Sequence, residues 1–284
     1  MKRYFAFSIL LVFLISVVNA QTKADSIAIV TAPWQIVETQ KGIVHKRVVV
    51  LSLYQGVQSI NLLEINPETG KKVGIAVNEK MDKISFSAAN YQAIAAVNGS
   101  YFNMKEGNSV CFLKTDCQLA DTTTLSEFKL RVTGAVYIKK GKLKLIPWNR
   151  VVEKMYKGQK GMVLASGPLM LKDGTYYNWS MCNSDFINTK HPRSAVCITK
   201  EGKILFVTVD GRFEGLAEGM NIPELAHLLK VLGAKDAINL DGGGSTTLWL
   251  SGASDNGIVN YPCDNGKFDH EGERKVANFL YVYE

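Results

Sequence analysis

The 284-residue chain predicts an α+β fold: a mixed, largely antiparallel β-sheet core with a few packed helices, in a single domain. Three observations carry this. Short runs rich in Val, Ile, Leu and Tyr recur at residues 47–54, 60–65, 92–97, 133–138, 143–146, 162–165, 195–199, 203–209, 236–240 and 276–283, each of strand length. Two neighbouring pairs are joined by the turn dipeptides Lys140-Gly141 and Glu201-Gly202, which mark antiparallel hairpins and argue against a doubly wound parallel sheet. A single segment, 222–232, has clear helical period.

From the N-terminus, Met1-Lys2-Arg3 precedes an apolar run over residues 5–18 and the small-residue stretch Val18-Asn19-Ala20. This pattern predicts an export signal over residues 1–20, because the apolar core is shorter than the ~20 residues of a membrane span. A periplasmic or extracellular protein without a stable membrane span follows. Residues 21–91 read as a strand and helix region of the same globular unit, with a weaker helical segment over 78–89. Residues 92–284 read as its functional core.

The helix over 222–232 starts at Asn221, which can cap it, with Glu224 in the reciprocal capping-box position. Leu225, Leu228, Leu229 and Leu232 form one apolar stripe, and Gly233 follows. Residues 116–126 and 251–273, rich in Asp, Thr, Gly and Asn, read as surface loops.

The net charge is +7, of which Lys2 and Arg3 contribute two. The remaining excess is spread along the chain without basic runs interleaved with aromatics, which argues against nucleic acid as a partner. Anionic glycans or phosphodiesters are compatible with it. Five cysteines in an exported chain permit disulfides, and Cys111 with Cys117 is the favoured pair. No zinc-ligand spacing occurs.

Chemistry concentrates where strand-like runs end in polar residues. The densest case is Asn239-Leu240-Asp241-Gly242-Gly243-Gly244-Ser245-Thr246-Thr247, where a carboxylate precedes three glycines and three hydroxyls. Consecutive glycines suit positive φ or close approach to bare backbone, and their amides can form an anion-binding nest. Asn98-Gly99-Ser100-Tyr101-Phe102, Ser166-Gly167-Pro168, His191-Pro192-Arg193 and Asp210-Gly211-Arg212 share the same character. Together they offer carboxylates Asp210 and Asp241, guanidiniums Arg193 and Arg212, amides Asn98 and Asn239, and hydroxyls Ser245 and Thr246. A tight turn explains any one of these segments alone; their repetition points to one shared cleft.

In this order, and with Glu224-Leu225-Ala226, Asn260-Tyr261-Pro262 and Glu273-Arg274, the motifs resemble the phosphodiester glycosidase family over residues 93–283. Ser100 departs from the pattern, standing where a second glycine is common. The resemblance implies hydrolysis at the anomeric carbon of a sugar-1-phosphodiester such as an N-acetylglucosamine-1-phosphodiester, releasing sugar and a phosphomonoester. It implies Asp241 and Asp210 as catalytic carboxylates. Arg193, Arg212 and the amides of Gly242, Gly243, Gly244 and Ser245 become a phosphate clamp. Asn98, Tyr101, Asn239 and Thr246 become substrate-binding or orienting groups. No cofactor is expected; a divalent cation on Asp210 and Asp241 is the weaker alternative. The competing function is a non-catalytic module that holds phosphorylated or acidic surface glycans.

Overall fold

A computed structural model describes residues 22–40, 42–116 and 118–284. The expected export signal at 1–20 lies outside the described residues, as does Cys117. Within them the chain forms seventeen strands and six helices.

Three sheets build the molecule. The largest has eight strands, running in space from Gln35–Gln40 through Ile43–Leu53, Gly56–Ile65, Ile204–Val209, Arg193–Thr199, Ala234–Asn239 and Leu169–Lys172 to Thr175–Tyr176. A four-stranded sheet contains Leu248–Leu250, Ala95–Asn98, Val276–Tyr283 and Lys72–Asp82. A five-stranded sheet contains Leu119–Asp121, Leu113–Lys114, Met162–Ser166, Gly134–Lys139 and Lys142–Pro147. The α+β fold with a largely antiparallel sheet core expected from the sequence is the one observed, and every described strand pair is antiparallel.

The central strands of the large sheet are buried on both faces, which is why they read as continuous apolar runs. Val196, Ile204, Phe206 and Ile238 point into a core shared with Val97, Leu164 and Leu280 of the smaller sheets. Ala195, Cys197, Leu205 and Val207 point the other way, toward helix Ile222–Val231 and Ile29 of helix Lys23–Thr31. The Ile222–Val231 helix has the capping box read from sequence: Glu224 N–H donates to Asn221 Oδ1 at 2.9 Å and Asn221 N–H to Glu224 Oε2 at 3.0 Å. Leu225, Leu228 and Leu229 are fully buried, each worth roughly 1.5–3 kcal/mol of apolar transfer.

Both expected hairpins form. Lys139 pairs with Lys142 across a turn in which Lys140 and Gly141 take φ of 52° and 72°, a type I′ geometry. Strands Arg193–Thr199 and Ile204–Val209 flank the Glu201-Gly202 turn. The helix expected over 78–89 forms only in its second half, where Ile84–Ser87 is α-helical and runs on into the 3-10 turn Ala88–Tyr91, while residues 78–82 are strand. Lys72–Asp82 stays extended because Val276–Tyr283 pairs with it as far as Val276 opposite Asp82, and only Ile84–Ser87 is α-helical. Residues 116–126 include strand Leu119–Asp121 and enter helix Leu125–Leu130. Within the other expected surface loop, Ile258, Val259 and Asn260 are buried. Cys111 and Cys197 are fully buried and Cys182 and Cys263 partly so, and none of these four is in a disulfide among the described residues.

Candidate active site

Strand Ala234–Asn239 lies between two partners in the large sheet, and its C-terminal end delivers Asp241. Leu240 N–H still donates to Ser194 O at 2.8 Å, and Asp241 N–H donates to Gly99 O at 2.9 Å, so the ladder passes from one sheet toward the other at this residue. The three glycines beyond it have separate steric reasons. A Cβ on Gly242 would stand 2.5 Å from the Pro192 carbonyl oxygen. On Gly243, at φ +63°, it would stand 2.9 Å from Arg212 Nη2, and on Gly244 it would collide with the Arg274–Asp264 pair. Glycine here lets side chains and backbone close over the loop.

A cavity of about 170 Å³ opens beside Asp241. Asp241, Gly242 and Gly243 form one side; Arg131, Arg193, Arg212 and His191 contribute cationic and polar groups; Tyr101 and Phe186 supply aromatic walls. Of the site residues read from sequence, Asp241, Tyr101, Arg193, Arg212, Gly242 and Gly243 therefore meet on one cavity. Arg193 is 1% exposed, donating from Nε to Met220 O at 2.8 Å and from Nη2 to Thr189 O at 2.7 Å. Its Nη1 has no protein acceptor among the hydrogen bonds formed. Arg212 is exposed, sits at φ +69°, and lies with Nη1 3.8 Å from Cys263 Sγ.

Arg131 is the cavity group that sequence reading missed. Its guanidinium carbon lies 3.4 Å from the Tyr101 ring centroid, and Nε and Nη2 reach the two Glu127 oxygens at 2.8 and 3.1 Å. The i,i+4 spacing of Glu127 and Arg131 at the end of helix Leu125–Leu130 is the one local signal that pointed to it. Phe186, edge-on to Tyr101 at 6.3 Å, was missed as well.

The remaining predicted residues stand behind the cavity wall. Asp210 is fully buried: Oδ2 accepts from Ser59 Oγ at 2.6 Å and Asn61 Nδ2 at 3.5 Å, and Oδ1 accepts from Asn260 Nδ2 at 3.0 Å and Tyr261 N–H at 2.9 Å. Asn98 and Asn239 are also fully buried, and Asn239 Nδ2 donates to Tyr101 Oη at 2.9 Å and Gly167 O at 3.0 Å. Tyr101 in turn donates to Gly167 O at 2.6 Å. The amide nest is mostly spent within the protein: Gly242 N–H turns back to Asp241 Oδ1 (2.9 Å), Gly243 N–H goes to Pro192 O (2.9 Å) and Ser245 N–H to Gly242 O (3.3 Å). Of those four amides, Gly244 alone has no acceptor. The hydroxyls of Ser245, Thr246 and Thr247 and Asn239 Oδ1 are buried without a protein partner.

Burial pushes the Asp241 carboxyl above the ordinary Asp range. The Ser245 hydroxyl, close but outside formed hydrogen-bond geometry, opposes this together with Arg131, the Gly242 N–H and Arg274. Burial likewise lowers Arg193, to about 10, with Arg131 adding to the effect; it remains cationic at neutral pH. His191 is lowered by burial and by Arg193 and Arg212, which keeps it neutral. Both oxygens of Asp210 already accept two donors each, so Asp210 has no oxygen free to share a divalent cation with Asp241. No cluster of three His, Cys, Asp or Glu side chains occurs among the described residues.

The sequence profile described as phosphodiester glycosidase matches residues 91–283, about two thirds of the chain. The chain belongs to the phosphodiester glycosidase family. Among curated members it is 29% identical over 209 residues to mouse N-acetylglucosamine-1-phosphodiester alpha-N-acetylglucosaminidase, a match covering 66% of this chain and 37% of that protein. It is 38% identical over 100 residues to the bovine protein of the same name, covering 35% of this chain and 18% of that one. The matches thus span from under a fifth to little more than a third of the length of these curated relatives. The catalytic domain of the zebrafish enzyme, auto-inhibited by pro-peptide, superposes with a TM-score of 0.67 at 19% identity, over 91% of this chain and 93% of that one. A hypothetical protein from Synechocystis gives 0.64 at 15%, over 88% of this chain and 63% of that one. At these identities the structural likeness concerns the fold. The phosphodiester glycosidase match begins at residue 91, so the three strands between Gln35 and Ile65 lie outside it.

Proposed function

We propose that this protein hydrolyses the anomeric carbon–oxygen bond of a sugar-1-phosphodiester, in the manner its relatives' name describes for N-acetylglucosamine-1-phosphodiesters. The observation that carries this is the composition of the cavity: one carboxylate, Asp241, faces three guanidiniums, Arg131, Arg193 and Arg212.

Ordinary glycosidases flank the scissile bond with two carboxyl groups, because a sugar alkoxide must be protonated as it leaves. A phosphomonoester leaves as a stable anion and needs no such acid. Fixed positive charge is then the efficient device, acting where negative charge accumulates as the bond breaks. Arg193 suits that role because its main-chain acceptors hold it rigid, and Arg212 reaches the same space from the Gly243 side. Asp241 is the carboxylate for the sugar side, stabilising oxocarbenium character and directing attack on the anomeric carbon. Asp210 acts from behind the wall, holding the segment that carries Arg212. Asn98, Asn239, Ser245 and Thr246 hold the loop in place, and the product pair is free sugar and a phosphomonoester.

The N-terminal twenty residues support export of this activity. No helix among the described residues is long and apolar enough to cross a membrane.

Hydrolysis in oxygen-18 water tests the reaction. Label in the released sugar is expected; label in the phosphate would mean cleavage of the phosphorus–oxygen bond and would overturn the proposal. Asp241→Asn separates turnover from simple holding of a glycan. Loss of turnover with affinity kept within about tenfold supports catalysis.

A further inference from the structure

The backbone of Arg212 stands at φ +69°, in the left-handed region that residues with a side chain rarely enter, and such a conformation persists where the surroundings over-determine it. The guanidinium does not supply that restraint. Among the described residues Arg212 forms no ion pair, and its head group makes one hydrogen-bond contact, from Nη1 to Cys263 Sγ at 3.8 Å.

The restraint lies in the neighbours on either side. Before Arg212, the Asp210 N–H donates to Ser59 O at 2.9 Å, and the Asp210 carboxylate accepts from Asn260 Nδ2 and the Tyr261 N–H. After it, Phe213 and Ala217 exchange main-chain hydrogen bonds at 3.0 and 2.7 Å, and the Phe213 ring meets Phe268 edge-on with centroids 5.1 Å apart. Phe268 stacks on Tyr261 at 4.1 Å and 15°, and Tyr261 stacks on His270 at 4.4 Å and 27°. His270 Nδ1 donates to Asn260 O at 2.6 Å, and Asn260 is the residue that holds Asp210. These contacts form a closed circuit, with Arg212 between its two ends.

The rings take no part in the core. Phe213, Tyr261 and Phe268 are half-buried and belong to none of the four hydrophobic clusters on which the sheets and helices pack. Aromatic rings that pack edge-on and stacked on one another, apart from those clusters, hold loops together rather than layers. Among the described aromatic pairs, Phe213–Phe268 is the one that joins the segment carrying Arg212 to the loop after Asn260.

We propose that Phe268 is a positioning residue for Arg212: its contact with Phe213 fixes the main chain from which the guanidinium enters the Asp241 cavity. An anion then meets a cation that is already in place, and the complex is spared the cost of ordering a long side chain. The proposal rests on the reading of Arg212 as part of a phosphate clamp and says what holds that clamp in position.

A double-mutant cycle on phosphate affinity tests it without turnover. Inorganic phosphate is titrated calorimetrically into wild type, Phe268→Ala, Arg212→Ala and the double variant. Phe268→Ala is expected to bind about fivefold more weakly than wild type, the penalty for ordering one rotamer-rich side chain on binding. In the Arg212→Ala background the same substitution should change affinity by less than about twofold, because the group it acts through is gone. Phe268→Tyr keeps the ring and should stay within about twofold of wild type. Phe213→Leu removes the ring on the other side of the contact and should repeat the Phe268→Ala pattern, which keeps the test open if Phe268→Ala does not fold. A fivefold loss that persists without Arg212 would make Phe268 merely structural and overturn the proposal. It is equally overturned by unchanged affinity in Phe268→Ala, by an equal loss in Phe268→Tyr, or by a wild type that does not bind phosphate. Hydrolysis of the methyl diester of N-acetylglucosamine-1-phosphate is scored separately on the wild type. Coupling between Phe268 and Arg212 in a protein without turnover leaves the positioning role standing and removes the glycosidase reading, whereas turnover without coupling does the reverse.

Discussion

The side-chain amide of Asn98 donates to the main-chain carbonyl of Asp241 at 2.7 Å, while its own oxygen accepts from Ser194 Oγ at 2.6 Å and from the Thr247 N–H at 3.1 Å. Asn98 ends a strand of the four-stranded sheet, whereas Ser194 belongs to the eight-stranded one. One carboxamide thus stitches two sheets together at the residue on which the proposed chemistry depends. Asn98 is fully buried and not on the cavity wall, so it acts by positioning.

Asn98→Ala is accordingly expected to lower kcat by about a hundredfold, since a displacement near 1 Å at a reacting group costs that much. KM should change by no more than about threefold. Unpaired buried groups should also cost roughly 1–3 kcal/mol of stability, visible in a denaturant titration. A rise in KM at unchanged kcat would instead make Asn98 a substrate contact.

The features legible in the sequence were local ones. The Asn221–Glu224 box and the Lys140-Gly141 turn are decided by residues a few positions apart, and both formed as read. Strand Lys72–Asp82 was misread beyond residue 78 because its extension depends on pairing with Val276–Tyr283, about 200 residues away, which no local pattern carries. Within the site, Asp210-Gly211 and Asp241-Gly242 look alike as sequence. They differ in long-range donors: Ser59, Asn260 and Tyr261 enclose Asp210, while Asp241 stays open to the cavity. Arg131 escaped notice because it follows no glycine turn, and only folding brings Tyr101 beneath it.

Arg131 tests whether the third guanidinium is functional. Lysine there keeps the charge but loses both the flat stack on Tyr101 and the paired contacts to Glu127. Arg131→Lys should reduce kcat/KM by about ten- to a hundredfold on any sugar-1-phosphodiester substrate. Steady-state kinetics decide it: a variant within twofold of wild type would show that Arg193 and Arg212 suffice.

Asp210 predicts a pH dependence of stability. Burial raises its carboxyl from 3.8 to about 6 despite hydrogen bonds from Ser59, Asn260 and Tyr261. The folded state therefore holds this proton more tightly than the unfolded chain. Stabilisation from the group is full below about pH 4 and is lost as pH rises through 6. Asp210→Asn removes this dependence. The stability of wild type minus variant should fall by on the order of 3 kcal/mol between pH 4 and pH 7. Urea titrations at unit steps of pH would contradict this if the difference stayed flat.

The glycine loop makes its own ranking. At Gly242 an added methyl group meets the Pro192 main-chain oxygen, which cannot move without disturbing the Gly243 N–H bond to that same oxygen at 2.9 Å. At Gly244 it meets the side chains of Arg274 and Asp264, which lie partly exposed and can swing aside. Gly242→Ala should therefore cost roughly 1–3 kcal/mol and most of the activity, while Gly244→Ala should cost less of both. Thermal melts and initial rates on the two variants give the order directly. Greater damage from Gly244→Ala would mean that the Arg274–Asp264 pair, rather than the backbone fit against Pro192, holds Asp241 in place.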